Sequence, residues 1–534
     1  AARIDRLPGT AKALLQRAAV IGRFFGYRTL QALSDAPAEL DQALARLLRA
    51  ELIREWASLP ERQYLFKHAL TLEAAAGSLL GDQRRGLHAR VAQHLEETLG
   101  EAARDQAALL AHHWSEAANF EKALVHTLRA ASQASAIYDR PAAANHYWRA
   151  LEILDALPRD EERDCQHADA IAALVAIPGW ARKAGAFETG LKHLERARGS
   201  AKERGDVARL VRAEALSGFF SEDEELLKEA AARAERNGDP LLYALASALY
   251  GGNRGMRGQM DEALVQFGRA VAIYAERGIR YQEAMNLNMG QRCYSARAGR
   301  LEDALRYAAR FREIASELGD TRLMAWRAME AEPHVYMGAW EDAAWVVEES
   351  LPIAWQIGES IVILFGSAWL ALAYLKLGRL ADAQPVLNRA LEHAEVSREA
   401  TPFSLTYLTV AVAQARLAAG EVEVALDVAR RALSYAERSR YRLEQGAAQR
   451  VFGQALAATG NRSEAEAAFS KSLEILEDIK SWPEVGQTLL AYGQFKLADD
   501  PAEGRDLMIR AASRFREINA AGWLAEVDAL TAAR

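Results

Sequence analysis

Cysteine is nearly absent from this chain of 534 residues: Cys165 and Cys293 are the only two, too few for a disulfide framework and not paired in any zinc-ligand spacing. Both are expected to be buried thiols. No run of 18 or more apolar residues occurs and no basic-apolar-small leader stands at the N-terminus, so neither a membrane span nor a signal peptide is read and the expected compartment is the cytoplasm. The Gly-x-x-x-x-Gly-Lys-Ser/Thr loop is missing, and nothing else here can cradle nucleotide phosphates unaided. His-Glu-x-x-His, Cys-x-x-Cys, Gly-x-Ser-x-Gly and the metal-binding carboxylates of a nucleotidyl cyclase are also missing. These absences leave no catalytic residue, no metal ligand and no cofactor to assign, and the chain is expected to hydrolyse nothing. It opens at Ala1 with no initiator Met, in what reads as the middle of a domain, and is treated as a fragment.

Ala, Leu, Glu and Arg dominate an otherwise ordinary composition, half hydrophobic and about a quarter charged, and this points to an all-α protein. The net charge of −7 is uneven. Residues 1–95 hold 14 Lys+Arg against 9 Asp+Glu, so the remainder carries −12 and offers no nucleic-acid footprint along most of its length.

Internal repetition is the strongest signal. Gly258, Gly299, Gly338, Gly378, Gly420 and Gly460 follow one another at 41, 39, 40, 42 and 40 residues, and an alanine stands five residues after each: Ala263, Ala304, Ala343, Ala383, Ala425 and Ala465. A left-handed glycine would end one helix, and the alanine would begin the next where two backbones come close. A larger side chain there costs ~1–3 kcal/mol. Acids precede most of these alanines, as at Glu262, Asp303, Asp342, Asp382 and Glu464, and suit the positive end of a helix. Seven residues before the turn small residues recur, Gly251, Ala371, Ala413 and Gly453, where a facing helix would pack. Weaker copies lie at Asn119–Ala123, Arg140–Ala144, Gly185–Gly190, Phe219–Glu224 and Asp499–Gly504.

This pattern resembles the tetratricopeptide repeat (TPR), most clearly in Gly378-Arg-Leu-Ala-Asp-Ala383 and Gly460-Asn-Arg-Ser-Glu-Ala465, with a period longer than the usual ~34 residues. The fold implied is a right-handed α-solenoid of about ten helix pairs over residues 99–534. Its first helices would line a concave binding face.

Residues 1–98 fall outside the repeat. Helices are expected at Pro8–Val20, Tyr27–Leu33 and Ala38–Ala50, then a β-hairpin of Leu52–Trp56 and Gln63–Phe66 about Ser58-Leu59-Pro60, then helices at Ala69–Leu80 and Arg84–Thr98. Helices followed by one hairpin make a winged helix. The stretches Arg3-Ile-Asp5-Arg-Leu7-Pro8, Ala18-Ala-Val-Ile-Gly22-Arg23-Phe24, Leu47-Leu48-Arg-Ala-Glu-Leu52-Ile53 and above all Phe66-Lys67-His68-Ala69-Leu70 are similar to the segment after the nucleotide-binding domain in STAND-class signal-transduction ATPases. Bacterial members linked to adenylate or guanylate cyclase domains, or to transcriptional regulation, are the nearest in kind. Arg84-Arg85-x-x-His88 and Ala111-His112-His113-Trp114 match the usual lead into their TPR arm.

That resemblance implies a switch in which the winged helix folds over bound ADP, and exchange for ATP opens the arm. ADP and ATP are thus expected of a longer protein, with an upstream nucleotide-binding domain as partner in cis and a protein or small-molecule signal on the solenoid. His68 matches the histidine that approaches the ADP phosphates, where a neutral imidazole donates one hydrogen bond and a protonated one adds charge. The alternative is that His68 caps the hairpin and packs on the next helix. His88, His112 and His113 read as packing residues.

Trp326, Trp340, Trp345, Trp355 and Trp369 fall within 44 residues, and Pro333 and Pro352 lie where helix interiors are expected and should bend them. Rigid aromatics beside a kink suit a recognition pocket of Trp326, Tyr336, Trp340, Trp369, Phe365, Leu372 and Lys376, with larger repeat packing as the alternative. Two other functions stay open: a stand-alone TPR adaptor, and a DNA-binding winged helix. Against the second, the helix Ala38–Ala50 sets Asp41 against only Arg46 and Arg49, and the wing sets Glu55 and Glu61 against Arg54 and Arg62.

Overall fold

A computed structural model of the chain describes residue 4 and residues 6–58, 61–137, 139–177, 180–181, 185–397, 400–439 and 441–532. Arg3 and Asp5 of the first quoted stretch, and Leu59 and Pro60 of the expected wing turn, lie outside the described residues. The chain packs as two compact units, Ala1–Trp180 and Ala181–Arg534.

The N-terminal unit opens with helix α1 (Gly9–Ile21), strand β1 (Phe24–Gly26), helices α2 (Tyr27–Leu33) and α3 (Leu40–Arg49), and strands β2 (Ile53–Ala57) and β3 (Gln63–Phe66). The sheet is antiparallel in the order β1-β3-β2, with Phe24 opposite Leu65 and Ile53 opposite Phe66. Strand β1 was not expected from the sequence: three residues are too short to show an alternating pattern, and only pairing with β3, some forty residues on, makes them a strand. Leu14, Leu15, Leu30, Leu44, Leu47, Ile53, Tyr64 and Phe66 form the core beneath the sheet. Five helices follow, α4 (Ala69–Gly77), α5 (Gly81–Leu99), α6 (Ala107–Glu116), α7 (Phe120–Ala136), α8 (Arg140–Ala156), and then α9 (Glu161–Val175). Asn119, Asp139 and Asp160 start the last three by accepting a hydrogen bond from the backbone three residues on. The junctions at Asn119 and Arg140 bound one and the same helix, α7, so both cannot be the inner turn of a forty-residue repeat.

The C-terminal unit is a TPR-like helical solenoid. After α10 (Ala186–Arg204) come helix pairs α11 (Val207–Ser221) with α12 (Glu224–Asn237) and α13 (Pro240–Met256) with α14 (Met260–Glu276). In the next pair a first helix of α15 (Arg280–Asn286), a π-turn Leu287–Arg292 and α16 (Cys293–Arg297) faces α17 (Leu301–Leu318); then α18 (Thr321–Trp326), a 3-10 turn Arg327–Glu330 and α19 (Ala331–Met337) face α20 (Trp340–Ile357). Four regular pairs complete the array: α21 (Ser360–Lys376) with α22 (Leu380–Val396), α23 (Pro402–Ala418) with α24 (Val422–Ser439), α25 (Arg442–Ala458) with α26 (Arg462–Asp478), and α27 (Trp482–Lys496) with α28 (Pro501–Glu517). Helix α29 (Ala521–Ala532) ends it.

All six turn glycines have positive φ, from +74° to +85°. After each, the next residue donates its backbone N–H to the carbonyl five residues back, as Gln259 does to Arg254 and Asn461 to Leu456, which is the hydrogen bond of a Schellman cap. The six alanines that follow are all 0% exposed, so the small side chain sits in the closest contact between helices as the spacing implies. Gly251 and Gly453 receive aromatic rings: a Cβ on Gly453 would stand 3.1 Å from Phe469.

Two expectations are corrected. Cys165 and Cys293 are half-buried rather than buried, and both are free thiols. Of the two prolines, Pro333 lies just past a 3-10 interruption, whereas Pro352 lies within the unbroken helix α20, one of whose faces turns outward and tolerates the lost backbone bond. No helix among the described residues is long and apolar enough to cross a membrane.

Candidate functional site

The concave face expected from the first helices of the repeats is a packed interior. The array of the C-terminal unit winds far enough that its last repeats press on earlier ones. Ser481 Oγ donates to the carbonyl of Arg297 at 2.9 Å, Trp523 Nε1 donates to the carbonyl of Val335 at 2.9 Å, and Asn519 Nδ2 donates to Glu302 at 3.2 Å. The turn glycines permit this approach. A Cβ on Gly258 would meet Ile479 at 2.2 Å, one on Gly299 would meet Ile518 at 2.6 Å, and one on Gly338 would meet the backbone of Gly522 at 2.6 Å.

Charged side chains close the interior. The π-turn brings Asn288 and Arg292 inward and α16 adds Arg297: Arg292 Nη1 donates to Glu332 at 2.9 Å, Arg297 Nε donates to the other oxygen of Glu332 at 3.0 Å, and Arg297 Nη1 lies 3.6 Å from Glu444. From later repeats, Arg450 is paired with Glu484, which also accepts from the Tyr336 hydroxyl at 3.1 Å. Three arginines and three glutamates thus balance in a space walled by Phe403 and Tyr407, whose rings lie 6.0 and 5.7 Å from the Arg297 guanidinium. Burial drives the Glu332 carboxyl upward, but Arg297 and Arg292 outweigh it and its pKa falls below the usual carboxylate value. Glu444 differs: burial pushes it up to about 7 and the single, longer contact to Arg297 offsets only part.

A cavity of about 30 Å³ remains beside these groups, lined by Val335, Trp369, Tyr407, Glu444, Arg450 and Gln487 among others. It is large enough to hold a water molecule. Glu444 Oε1 and the Tyr407 hydroxyl, both at the edge of this cavity, make no hydrogen bond among the described residues, and elsewhere in the interior neither do Trp326 Nε1, Glu330 Oε1 and Ser367 Oγ.

The residues proposed as a pocket divide into three groups. Tyr336, Trp369 and Phe365 join this interior, with ring centres 6.1 Å apart for Tyr336–Trp369 and 4.5 Å for Phe365–Tyr407, and Leu372 lines the cavity. Trp340 and Lys376 meet instead at Trp523: Trp340 packs edge-on at 5.1 Å, and Lys376 Nζ lies 4.2 Å over the Trp523 ring while donating to Glu526 at 2.7 Å. Burial lowers the Lys376 pKa against the pull of Glu526. Trp326 is buried at the 3-10 turn, where its carbonyl accepts from Asn288. Trp345 is exposed and Trp355 packs on His393 on a second helix. The charged members of the site, Arg292, Arg297, Glu332, Glu444, Arg450 and Glu484, were missed in the sequence. They lie in first helices that carry several other polar side chains, so no local pattern sets them apart.

In the N-terminal unit His68 is exposed at the start of α4, and its side chain caps no backbone group. Phe24 and Trp56, 52% and 58% exposed, pair edge to face on the outer side of the sheet.

Neither a protein-family model nor a curated protein matches the sequence. Among solved structures the chain is similar to a Rap protein complexed with competence and sporulation factor, at 12% identity over 76% of this chain and 95% of that one, with a TM-score of 0.43. It is also similar to aspartyl phosphate phosphatase F from Bacillus subtilis, at 14% identity over 68% and 97% with a TM-score of 0.42. A third likeness is to a STAND protein with a tetratricopeptide repeat sensor from Pyrococcus horikoshii, at 14% identity over 96% of this chain and 64% of that one, TM-score 0.33. These are likenesses of a helical-repeat chain to other helical-repeat chains, and they give no residue here a role.

Proposed function

We propose that this chain is the winged-helix and sensor-arm portion of a STAND-class signalling ATPase, with the C-terminal solenoid held shut until a protein or small-molecule signal engages it. The polar seam inside that solenoid carries the reading. An interior needed only for rigidity is served at least as well by apolar side chains, because each buried ion loses several kcal/mol of hydration that pairing returns only in part. A seam joining Tyr336 to Glu484 and Arg297 to Glu444 suits two arrangements: closed with the charges paired, and open with them in water.

In the N-terminal unit, the order helix, strand, helix, helix, hairpin supports a winged helix, and the exposure of His68 at the hairpin's exit is compatible with a nucleotide phosphate from a neighbouring domain as its partner. DNA reading is disfavoured because Asp41 on helix α3 is bridged to Arg62 of the hairpin at 3.1 Å, drawing a basic side chain away from a duplex.

The test is the open reading frame around this chain, followed by ADP titration of the encoded protein. A phosphate loop ahead of Ala1, and ADP affinity that falls about tenfold in His68→Ala, support the reading. A reading frame with no such loop leaves a stand-alone TPR adaptor, and ADP affinity indifferent to His68 removes the winged helix from the switch.

A further inference from the structure

We propose that His88, His112 and His113 form a binding site for a divalent transition metal ion of the zinc type, set between helices α5 and α6 of the N-terminal unit. One ring nitrogen from each histidine lies within 4.8 Å of the other two. The ring centres make a near-equilateral triangle, 5.7 Å for His88–His112, 5.1 Å for His88–His113 and 5.2 Å for His112–His113. A tetrahedral ion demands such a triangle. With Zn–N of about 2.0–2.1 Å each ring centre lies about 3.2 Å from the ion, and tetrahedral directions then separate the centres by about 5.2 Å.

The polar atoms point the same way. His113 is 1% exposed, and its Nε2 makes no hydrogen bond among the described residues, which leaves the Nδ1 contact with His88 as the ring's polar partner. His88 Nδ1 and His113 Nδ1 stand 2.9 Å apart with a single proton to share, an arrangement an ion replaces by two lone pairs directed at one centre. His112 is exposed and gives the ion a path from solvent. Glu116 stands one helical turn past His112, outside this cluster, and the fourth position of the ion is left to water. The separation of 25 positions from His88 to His113 hides the site from any short spacing rule.

The experiment is calorimetric titration of Zn²⁺ into the whole chain after dialysis against chelator, with Co²⁺ absorption as a second readout. The expected result is one Zn²⁺ per chain, intense visible bands of tetrahedral Co²⁺, and affinity at least about tenfold weaker in His112→Asn and in His88→Asn. His112 is exposed, so His112→Asn keeps its fold and decides the matter should His88→Asn unfold. No Zn²⁺ binding by the wild type, equal binding by His112→Asn, or an octahedral Co²⁺ spectrum overturns the proposal.

Discussion

Tyr336 donates its hydroxyl proton to Glu484, 148 residues later in the chain, across 3.1 Å in the buried interior of the solenoid. Glu484 also holds Arg450, so one carboxylate ties together three repeats. Tyr336→Phe should cost about 1.5–3 kcal/mol, the worth of a hydrogen bond to a charged group. Glu484→Gln should cost more, about 3–5 kcal/mol, because it leaves Arg450 buried without its counter-charge. Urea unfolding followed by tryptophan fluorescence orders the two; a larger effect for Tyr336→Phe would contradict the pairing described.

Glu444 gives the solenoid a pH dependence of defined sign. Its folded-state pKa of about 7 stands above the ordinary glutamate value of 4.5, so between these limits the native state binds more protons than the unfolded state. Stability therefore falls as pH rises from about 4.5 to about 7 and is flat on either side, as far as this group is concerned. Arg297 works against the shift and Glu332 adds to it. Glu444→Gln should remove that slope and stabilise the chain at pH 8 relative to the wild type. Equal slopes in the two proteins, measured from pH 4.5 to 8, would remove Glu444 as their source.

Gly338 and Gly378 separate two effects of the same substitution. Both have left-handed backbones, at φ +76° and +74°, but a Cβ on Gly338 would meet the Gly522 backbone at 2.6 Å whereas nothing lies within 4 Å of one on Gly378. Gly378→Ala should lose about 1 kcal/mol from backbone strain alone. Gly338→Ala should lose that and also loosen α29, read as faster proteolysis within Ala521–Ala532. Equal proteolysis in the two variants would show that the close approach is unimportant.

The six glycines and six alanines made the repeat legible, because a left-handed turn and a close helix crossing each accept few side chains. What the sequence could not show is how far the array winds. Gly338 reads as a turn residue like Gly378, and only its contact with Gly522, 184 residues away, sets it apart. The same holds for Tyr336 and Lys376: their aromatic neighbourhood was readable, but Glu484 and Glu526 lie 148 and 150 residues on and share no local pattern with them. Trp345, by contrast, belonged to the tryptophan cluster in sequence alone; helical periodicity turns it to solvent.

Lys376 and Glu526 should act as a latch on the C-terminal helix, since Lys376 also covers the Trp523 ring. Lys376→Ala should raise the open population about fivefold, the effect of ~1 kcal/mol, and tighten binding of any signal that reaches Trp369 and Tyr407 by the same factor. Native-state proteolysis measures the first and titration the second; Trp369→Ala should abolish the binding while the chain stays folded.

A cysteine cross-link between positions 302 and 519 tests closure of the solenoid most directly. These positions are 217 residues apart and their side chains touch at 3.2 Å on the surface. With Cys165 and Cys293 replaced by alanine, Glu302→Cys and Asn519→Cys together should be bridged within one chain by a short bismaleimide, whose span covers the reach of the two original side chains, with helical content unchanged. A folded, fully helical double variant in which both thiols are alkylated but not bridged would show that the repeats do not close on one another.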